Sequence, residues 1–223
     1  MHFCLRDYPA YLFDLDGTLV DSAPDIHAAL NFTLSNSGHP TVEPAQTRDF
    51  VGMGSRALLR RALDHHGRQD VDHEPMLDTF LDYYERNIAV HSRPFPQTVE
   101  TLAALHERGK GLAVVTNKYD RLTRRVLDEL ALSPYFSSIV CSDTVPHSKP
   151  AADPALVACA ALGVAPNDAL FVGDASPDVG CARAAGCDVV VVRDGYNNGI
   201  PAEDLGADAV INSLADILLN SHA

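Results

Sequence analysis

The residues best suited to chemistry lie in one short run, Phe13-Asp14-Leu15-Asp16-Gly17-Thr18-Leu19-Val20. Two carboxylates, two positions apart, leave the end of an apolar segment. Gly17 follows at once, and its conformational freedom lets the chain turn sharply there. Carboxylates this close repel each other, and a divalent cation between them removes that penalty. An ionised aspartate can attack phosphorus and carry a covalent intermediate, while a neighbouring carboxyl can exchange a proton with the leaving group and then with water. The same run also reads as an Asp-rich turn after a strand, so its meaning depends on what the rest of the chain brings to it.

Three other segments carry reactive groups. In Val115-Thr116-Asn117-Lys118 a hydroxyl at a strand tip can hold a phosphate oxygen with help from a backbone N–H. It can equally cap a helix starting near Tyr119, and the two are compatible because helix N-termini favour anions. Lys149-Pro150 sets an ammonium on extended backbone, either to offset charge on a reacting group or as an ordinary solvated lysine. Gly173-Asp174-Ala175-Ser176-Pro177-Asp178 adds a carboxylate at a strand tip and another in the first turn of the next helix. There Asp178 either supports Lys149 or a metal-bound water, or satisfies the helix dipole.

Elements that position these groups are legible as short apolar runs. Tyr11-Leu12-Phe13, Gly111 to Val115, Ser138 to Val140, Ala169 to Val172 and Val189 to Val192 read as buried strands, with Ala209 to Ile211 weaker. Helical patterns over Thr98–Arg108, Tyr119–Leu130, Pro154–Leu162 and Ser176–Ala185 alternate with them. That alternation predicts an α/β fold, a Rossmann-like parallel sheet with helices on both faces. Ligands in such sheets sit at the carboxyl ends of the strands, where Asp14, Thr116 and Asp174 fall. From Ala23 to Arg93 the patterns are helical only, clearest over Ile26–Leu34, Arg56–Leu63 and Met76–Ile88. The expected organisation is a catalytic core of residues 1–21 and 94–223, with residues 22–93 an inserted all-helical cap hinged at Asp21–Pro24 and His91–Pro96. A cap over the strand ends would act as a lid.

Bulk properties narrow the partners. The 223 residues are 46% hydrophobic and 21% charged, with a formal net charge of −13. Such an acidic chain is a poor match for nucleic acid, whose binding rests on Lys and Arg. An anionic substrate would need local cations or a metal to reverse the field. The cysteines, Cys4, Cys141, Cys159, Cys181 and Cys187, form no Cys-x-x-Cys pair and suit a reduced compartment. No signal peptide or membrane span is read from the sequence, so a cytoplasmic location is expected. The sequence carries no sign of an oligomeric state.

Taken together, these motifs resemble the haloacid dehalogenase-like hydrolase superfamily, over nearly the whole chain. Asp14-Leu15-Asp16-Gly17-Thr18 looks like its first motif, Val115-Thr116-Asn117-Lys118 its second, Lys149-Pro150 its third and Gly173-Asp174-Ala175-Ser176-Pro177-Asp178 its fourth. The resemblance implies Asp14 as nucleophile, Asp16 as general acid and base, and Thr116 and Lys149 as catalytic phosphate contacts. It also implies Mg²⁺ held by Asp14, Asp16 (through its backbone carbonyl) and Asp174, with Asp178 behind them. Oxygen-only ligands suit that ion.

Within the superfamily, Val51-Gly52-Met53-Gly54 with Leu58, Leu59, Ala62 and Leu63, and Gly195-Tyr196-Asn197-Asn198-Gly199, resemble the phosphoglycolate phosphatase family. This implies hydrolysis of 2-phosphoglycolate, with Thr18, Asn117, Gly52, Gly54 and Arg56 binding the substrate and Arg56 pairing its carboxylate. Departures are Cys141-Ser142-Asp143, Ala152 and Ala175; none removes a catalytic group. Alternatives are a phosphatase for another small sugar phosphate, including an amino-sugar-acid phosphate, a β-phosphoglucomutase-type phosphomutase, and a regulatory protein that only binds metal or ligand. A dehalogenase fits poorly, because those relatives usually lack the second aspartate.

Overall fold

The computed structural model describes residues 5–219. In chain order the elements are β1 (Ala10–Phe13), β2 (Val20–Asp21), α1 (Ala23–Asn36), α2 (Pro44–Phe50), α3 (Ser55–His65), α4 (Glu74–Arg86), β3 (Arg93–Pro94) and α5 (Thr98–Glu107). There follow β4 (Gly111–Val115), α6 (Asp120–Glu129), β5 (Ser138–Val140), α7 (Asp153–Leu162), β6 (Ala169–Gly173), α8 (Ser176–Ala185), β7 (Asp188–Val192), β8 (Ala209–Ile211) and α9 (Asp216–Leu219). Six strands form a parallel sheet in the order β5-β4-β1-β6-β7-β8.

The sheet is buried on both sides, which explains why its strands are runs of apolar residues without polar alternation. Side chains still alternate between faces. Tyr11, Phe13, Leu112, Val114, Leu170 and Val172 join Leu102 and Leu105 of α5 and Leu122, Val126 and Leu127 of α6 in one core. Leu12, Ala113, Val115, Phe171, Val189 and Val191 join the small side chains Ala155, Ala158, Cys159, Cys181 and Ala182 of α7 and α8 in the other. Cys141, Cys159, Cys181 and Cys187 are buried free thiols; Cys4 lies outside the described residues.

Helices α1 to α4 intervene between β2 and β3 and bury Ile26, Leu30, Leu34, Leu58, Leu59, Leu63, Met76, Leu77, Phe80 and Tyr84. Two features at this insertion differ from the sequence expectation. Arg93 is not helical or coil but pairs antiparallel with Asp21, as Pro94 does with Val20. A two-residue strand ending in proline is too short to show a period of two and lacks one ladder donor. Helix α2 adds a further helix whose seven residues bury only Thr47, too little apolar content to announce a helical face. The two crossings are tied together by buried Asp25, whose carboxylate accepts from the Ser92 N–H at 2.8 Å, the Ser92 hydroxyl at 2.6 Å and the His91 N–H at 3.0 Å. Among the described residues no helix is long and apolar enough to cross a membrane.

Candidate active site

β1 lies at the centre of the sheet, so the residue after it emerges between the tips of β4 and β6. That residue is Asp14, whose N–H still donates to the Val172 carbonyl at 2.9 Å. Its Oδ1 accepts from the Leu15 N–H at 2.7 Å and lies 2.8 Å from Lys149 Nζ. Lys149 is buried and also reaches Asp178 Oδ1 at 2.6 Å and the Val115 carbonyl at 2.8 Å. Asp178 Oδ2 accepts from the N–H groups of Asp174 and Ala175, each at 3.0 Å. Asp178 thus joins Lys149 to the backbone that leads into α8.

Asp174 is fixed by hydrogen bonds alone. Its Oδ1 accepts from the Thr18 hydroxyl at 2.5 Å and its Oδ2 from the Tyr196 N–H at 2.7 Å. Among the described residues it has no ion pair. Burial pushes the Asp174 carboxyl well above the usual range, and the nearby Asp178 and Asp14 charges push it further. Burial likewise drives Asp14 up to about 7; Lys149 pulls it down and Asp178 pushes it up. For Lys149 burial pulls downward, but Asp14 and Asp178 together more than offset it, so its proton is held more tightly than usual. Asp14, Asp174 and Asp178 each offer an oxygen within 4.8 Å of the others. Three buried carboxylates served by one ammonium form an oxygen-only, electron-rich set, which fits a hard divalent cation.

The turn around this cluster requires Gly17. It has φ +93°, and a Cβ there would lie 2.4 Å from Asp174 Oδ2 and 2.9 Å from the Tyr196 ring. Any other residue would push the turn off the carboxylate it wraps.

Asp16 points elsewhere. Its carboxylate is gripped by Lys118 Nζ at 2.7 and 2.8 Å and accepts from the Ser22 hydroxyl at 2.5 Å. It stands outside the three-carboxylate group, so only its backbone carbonyl remains for the metal role that the family resemblance implies. Lys118 is buried, with its ammonium 4.8 Å from the Tyr84 ring centroid. Burial lowers its proton affinity, but attraction to Asp16 dominates and raises it overall.

A cavity of about 40 Å³ opens over Asp14 and Asp16. Thr116, Asn117, Lys118 and Leu122 line it from the sheet side; Ile26, Val51, Gly52, Gly54, Leu58, Phe80 and Tyr84 close it from the helical insertion. The Asn117 amide bridges the two sides, donating to the carbonyls of Gly52 and Lys149 at 3.1 Å each. Its Oδ1 is buried without a hydrogen-bond partner.

The structure brings Asp14, Asp16, Thr116, Asn117, Gly52 and Gly54 to this cavity, with Lys149, Asp174 and Asp178 packed beneath. Thr116 does not cap α6: its hydroxyl accepts from the Lys118 N–H at 3.2 Å, and Tyr119 takes the cap position. Two residues expected to touch substrate sit differently. Thr18 directs its hydroxyl to Asp174, because the Gly17 turn aims it under the acidic cluster. Arg56 turns outward, pairing with Glu74 at 2.8 Å and donating to the Tyr119 hydroxyl at 2.6 Å. Its position at the exposed start of α3 makes the acidic α4 terminus its nearer partner.

Sequence reasoning missed Lys118, Ser22 and Tyr196 as parts of the site. Lys118 had a signal, adjacency to Thr116-Asn117. Tyr196 had none beyond its motif; its hydroxyl donates to Asp21 and accepts from the Ala23 N–H at 2.9 Å, contacts that only the tertiary fold creates.

Comparison with known proteins agrees with this geometry. Residues 11–192 match the haloacid dehalogenase-like hydrolase family. A phosphoglycolate phosphatase of Caulobacter vibrioides is 42% identical over 207 residues, covering 92% of this chain and 87% of the relative. Phosphoglycolate phosphatase 1 of Pseudomonas aeruginosa is 40% identical over 213 residues, covering 93% and 77%. The crystal structure of a predicted phosphoglycolate phosphatase from Haemophilus somnus superposes with a TM-score of 0.89 at 33% identity, covering 95% of this chain and 97% of that one.

Proposed function

The chain belongs to the haloacid dehalogenase-like hydrolases, within them to the phosphoglycolate phosphatase family, and is a phosphatase; from that premise we propose that it hydrolyses 2-phosphoglycolate to glycolate and phosphate through a phospho-aspartate on Asp14, with Mg²⁺ as cofactor. The observation that carries the reading is Asp14 itself, a buried carboxylate at a strand tip, paired to Lys149 and facing a cavity that Asp16 also lines. The cavity of about 40 Å³ shares Gly54, Ser55 and Asn117 with a wider opening of about 330 Å³, through which a small phosphate ester can reach Asp14.

Asp14 Oδ attacks phosphorus and the bond to the ester oxygen breaks, its electron pair leaving on the alkoxide, which takes a proton from Asp16. Asp16 then takes a proton from water as that water attacks phosphorus, which releases phosphate and restores Asp14. Lys149 offsets negative charge beside the nucleophile throughout. A divalent ion held by Asp14, Asp174 and the Asp16 carbonyl would supply charge neutralisation to the phosphoryl group. Residues 22–93 serve as the lid that excludes bulk water, hinged at the β2–β3 ribbon.

The test is phosphate release from 2-phosphoglycolate beside a panel of sugar phosphates, with Mg²⁺ and with chelator. A chelator-sensitive preference for 2-phosphoglycolate supports the reading. Preference for another ester overturns the substrate, and isomerisation of a sugar phosphate without phosphate release overturns the hydrolase in favour of a mutase. Turnover retained by Asp14→Asn refutes the phospho-aspartate.

A further inference from the structure

A substrate that carries a carboxylate beside its phosphate ester needs a cation for that carboxylate, and the expected one is not in the cavity. Arg56 is exposed and engaged with Glu74 and Tyr119. Lys149 is occupied by Asp14, Asp178 and the Val115 carbonyl, beneath the position where phosphorus must sit. Among the described residues, Lys118 is the ammonium that lines the cavity.

We propose that Lys118 is the specificity-determining residue for the substrate carboxylate, exchanging its ion pair with Asp16 for one with the substrate. The inference rests on the phosphoglycolate reading above and deepens it. Lys118 holds both oxygens of Asp16 at 2.7 and 2.8 Å. Asp16 keeps a second donor, the Ser22 hydroxyl at 2.5 Å, and its side chain is more exposed than that of Lys118, 12% against 5%. Of the two partners, Asp16 is thus the better served when the pair opens. The Lys118 ammonium stays over the Tyr84 ring, a contact that holds a cation without consuming a carboxylate. The surrounding Ile26, Leu58, Phe80 and Leu122 exclude competing water and strengthen a charge pair formed there. A phosphate ester lacking an adjacent anion leaves Lys118 on Asp16. An ester that has one draws Lys118 away and leaves the Asp16 carboxylate free to take up a proton from solvent and turn toward the leaving oxygen.

The experiment compares kcat/KM for 2-phosphoglycolate with that for 2-hydroxyethyl phosphate, which has the same length without the carboxylate. In the unsubstituted protein the carboxylate is preferred, and Lys118→Met lowers the preference roughly 10- to 100-fold, the range for losing a hydrogen bond to a charged group. Lys118→Arg retains most of it. Because the ratio is taken within one sample, loss of folded protein cancels. Calorimetric binding of the same two esters to Asp14→Asn, with and without Lys118→Met, reads the ratio without turnover and is expected to show the same loss. A preference intact in Lys118→Met overturns the inference and leaves the phosphoglycolate reading standing. Absence of any preference in the unsubstituted protein overturns both.

Discussion

Lys149→Met tests whether one ammonium balances the acidic cluster. Lys149 is 2% exposed and sits 2.8 Å from Asp14 and 2.6 Å from Asp178. Methionine fills much of the same volume but removes the charge, leaving two buried carboxylates facing each other with Asp174 alongside. Removing one partner of a buried, hydrogen-bonded pair costs about 3–5 kcal/mol, mostly the penalty of the charge left behind. For a chain of this size each kcal/mol moves Tm by about 2–4 °C. The expected drop in chelator is therefore about 6–20 °C. Lys110→Met is the internal control: its partner Asp7 is 49% exposed at 2.6 Å, and such pairs contribute about 0–1 kcal/mol. Differential scanning calorimetry of both variants, with and without Mg²⁺, reads the difference. Added Mg²⁺ should narrow the Lys149→Met deficit, because it restores positive charge to the same carboxylates. Equal small drops for the two variants, or a deficit that Mg²⁺ leaves unchanged, would refute the charge-balance argument.

Other expectations follow from the same cluster. Burial raises Asp14 to about 7 from an ordinary value near 4; a raised folded-state pKa gives stability that is full below the ordinary value and lost as pH climbs through the raised one. Metal-free protein should therefore lose stability from about pH 4 to 7, and Mg²⁺ should bind more tightly and release protons across that window; calorimetry in buffers of different ionisation enthalpy counts them, and zero release argues against the shift. Gly17→Ala places a Cβ 2.4 Å from Asp174 Oδ2 at φ +93°. It should weaken Mg²⁺ binding by more than about tenfold and cost about 1–2 kcal/mol of stability, read by isothermal titration and melting; unchanged affinity would mean Asp174 is not a ligand. Tyr196→Phe removes the hydroxyl that joins Asp21 to the Ala23 N–H but keeps the backbone N–H on Asp174. Stability should fall by about 1 kcal/mol and KM should rise while Mg²⁺ affinity stays, and a fall in Mg²⁺ affinity would show that the hinge and the acidic cluster are not separable.

Much of the fold was legible because a doubly covered parallel sheet leaves a plain signature. Val189 to Val192 and Leu112 to Val115 are apolar throughout, since neither face meets water. Asp14, Thr116 and Asp174 were legible because each follows such a run directly, and the strand tip fixes the direction in which the side chain leaves the sheet. What stayed hidden depends on residues far apart in sequence with no period of their own. The Asp21–Arg93 pairing spans the whole helical insertion. Thr18 and Arg56 have chemistry suited to a phosphate or a carboxylate, and composition alone cannot say that Asp174 or Glu74 lies nearer. Lys118 stands in the Val115-Thr116-Asn117-Lys118 run without a role of its own, because its pairing with Asp16 and its contact with Tyr84, on a helix of the inserted segment, exist only in the fold.

The charges around the cavity explain why a very acidic protein can serve a substrate that is itself an anion. Asp14, Asp16, Asp174 and Asp178 face Lys118 and Lys149, four carboxylates against two ammoniums, a formal excess of two negative charges in a chain whose net charge is −13. Phosphate cannot approach that arrangement favourably, and burial, with the neighbouring carboxylates adding to it, raises the proton affinity of Asp14 and Asp174. A divalent cation at the three-carboxylate group would cancel the excess at one stroke, lower the proton affinity of the nucleophile and leave each lysine a distinct task. Lys149, locked beneath, draws Asp14 toward its ionised form. Lys118, on the cavity wall with a partner that has a second donor, is the charge that can move. The acidic background then helps to discriminate, because an anion gains in this site only where its own charges meet the cations provided for them.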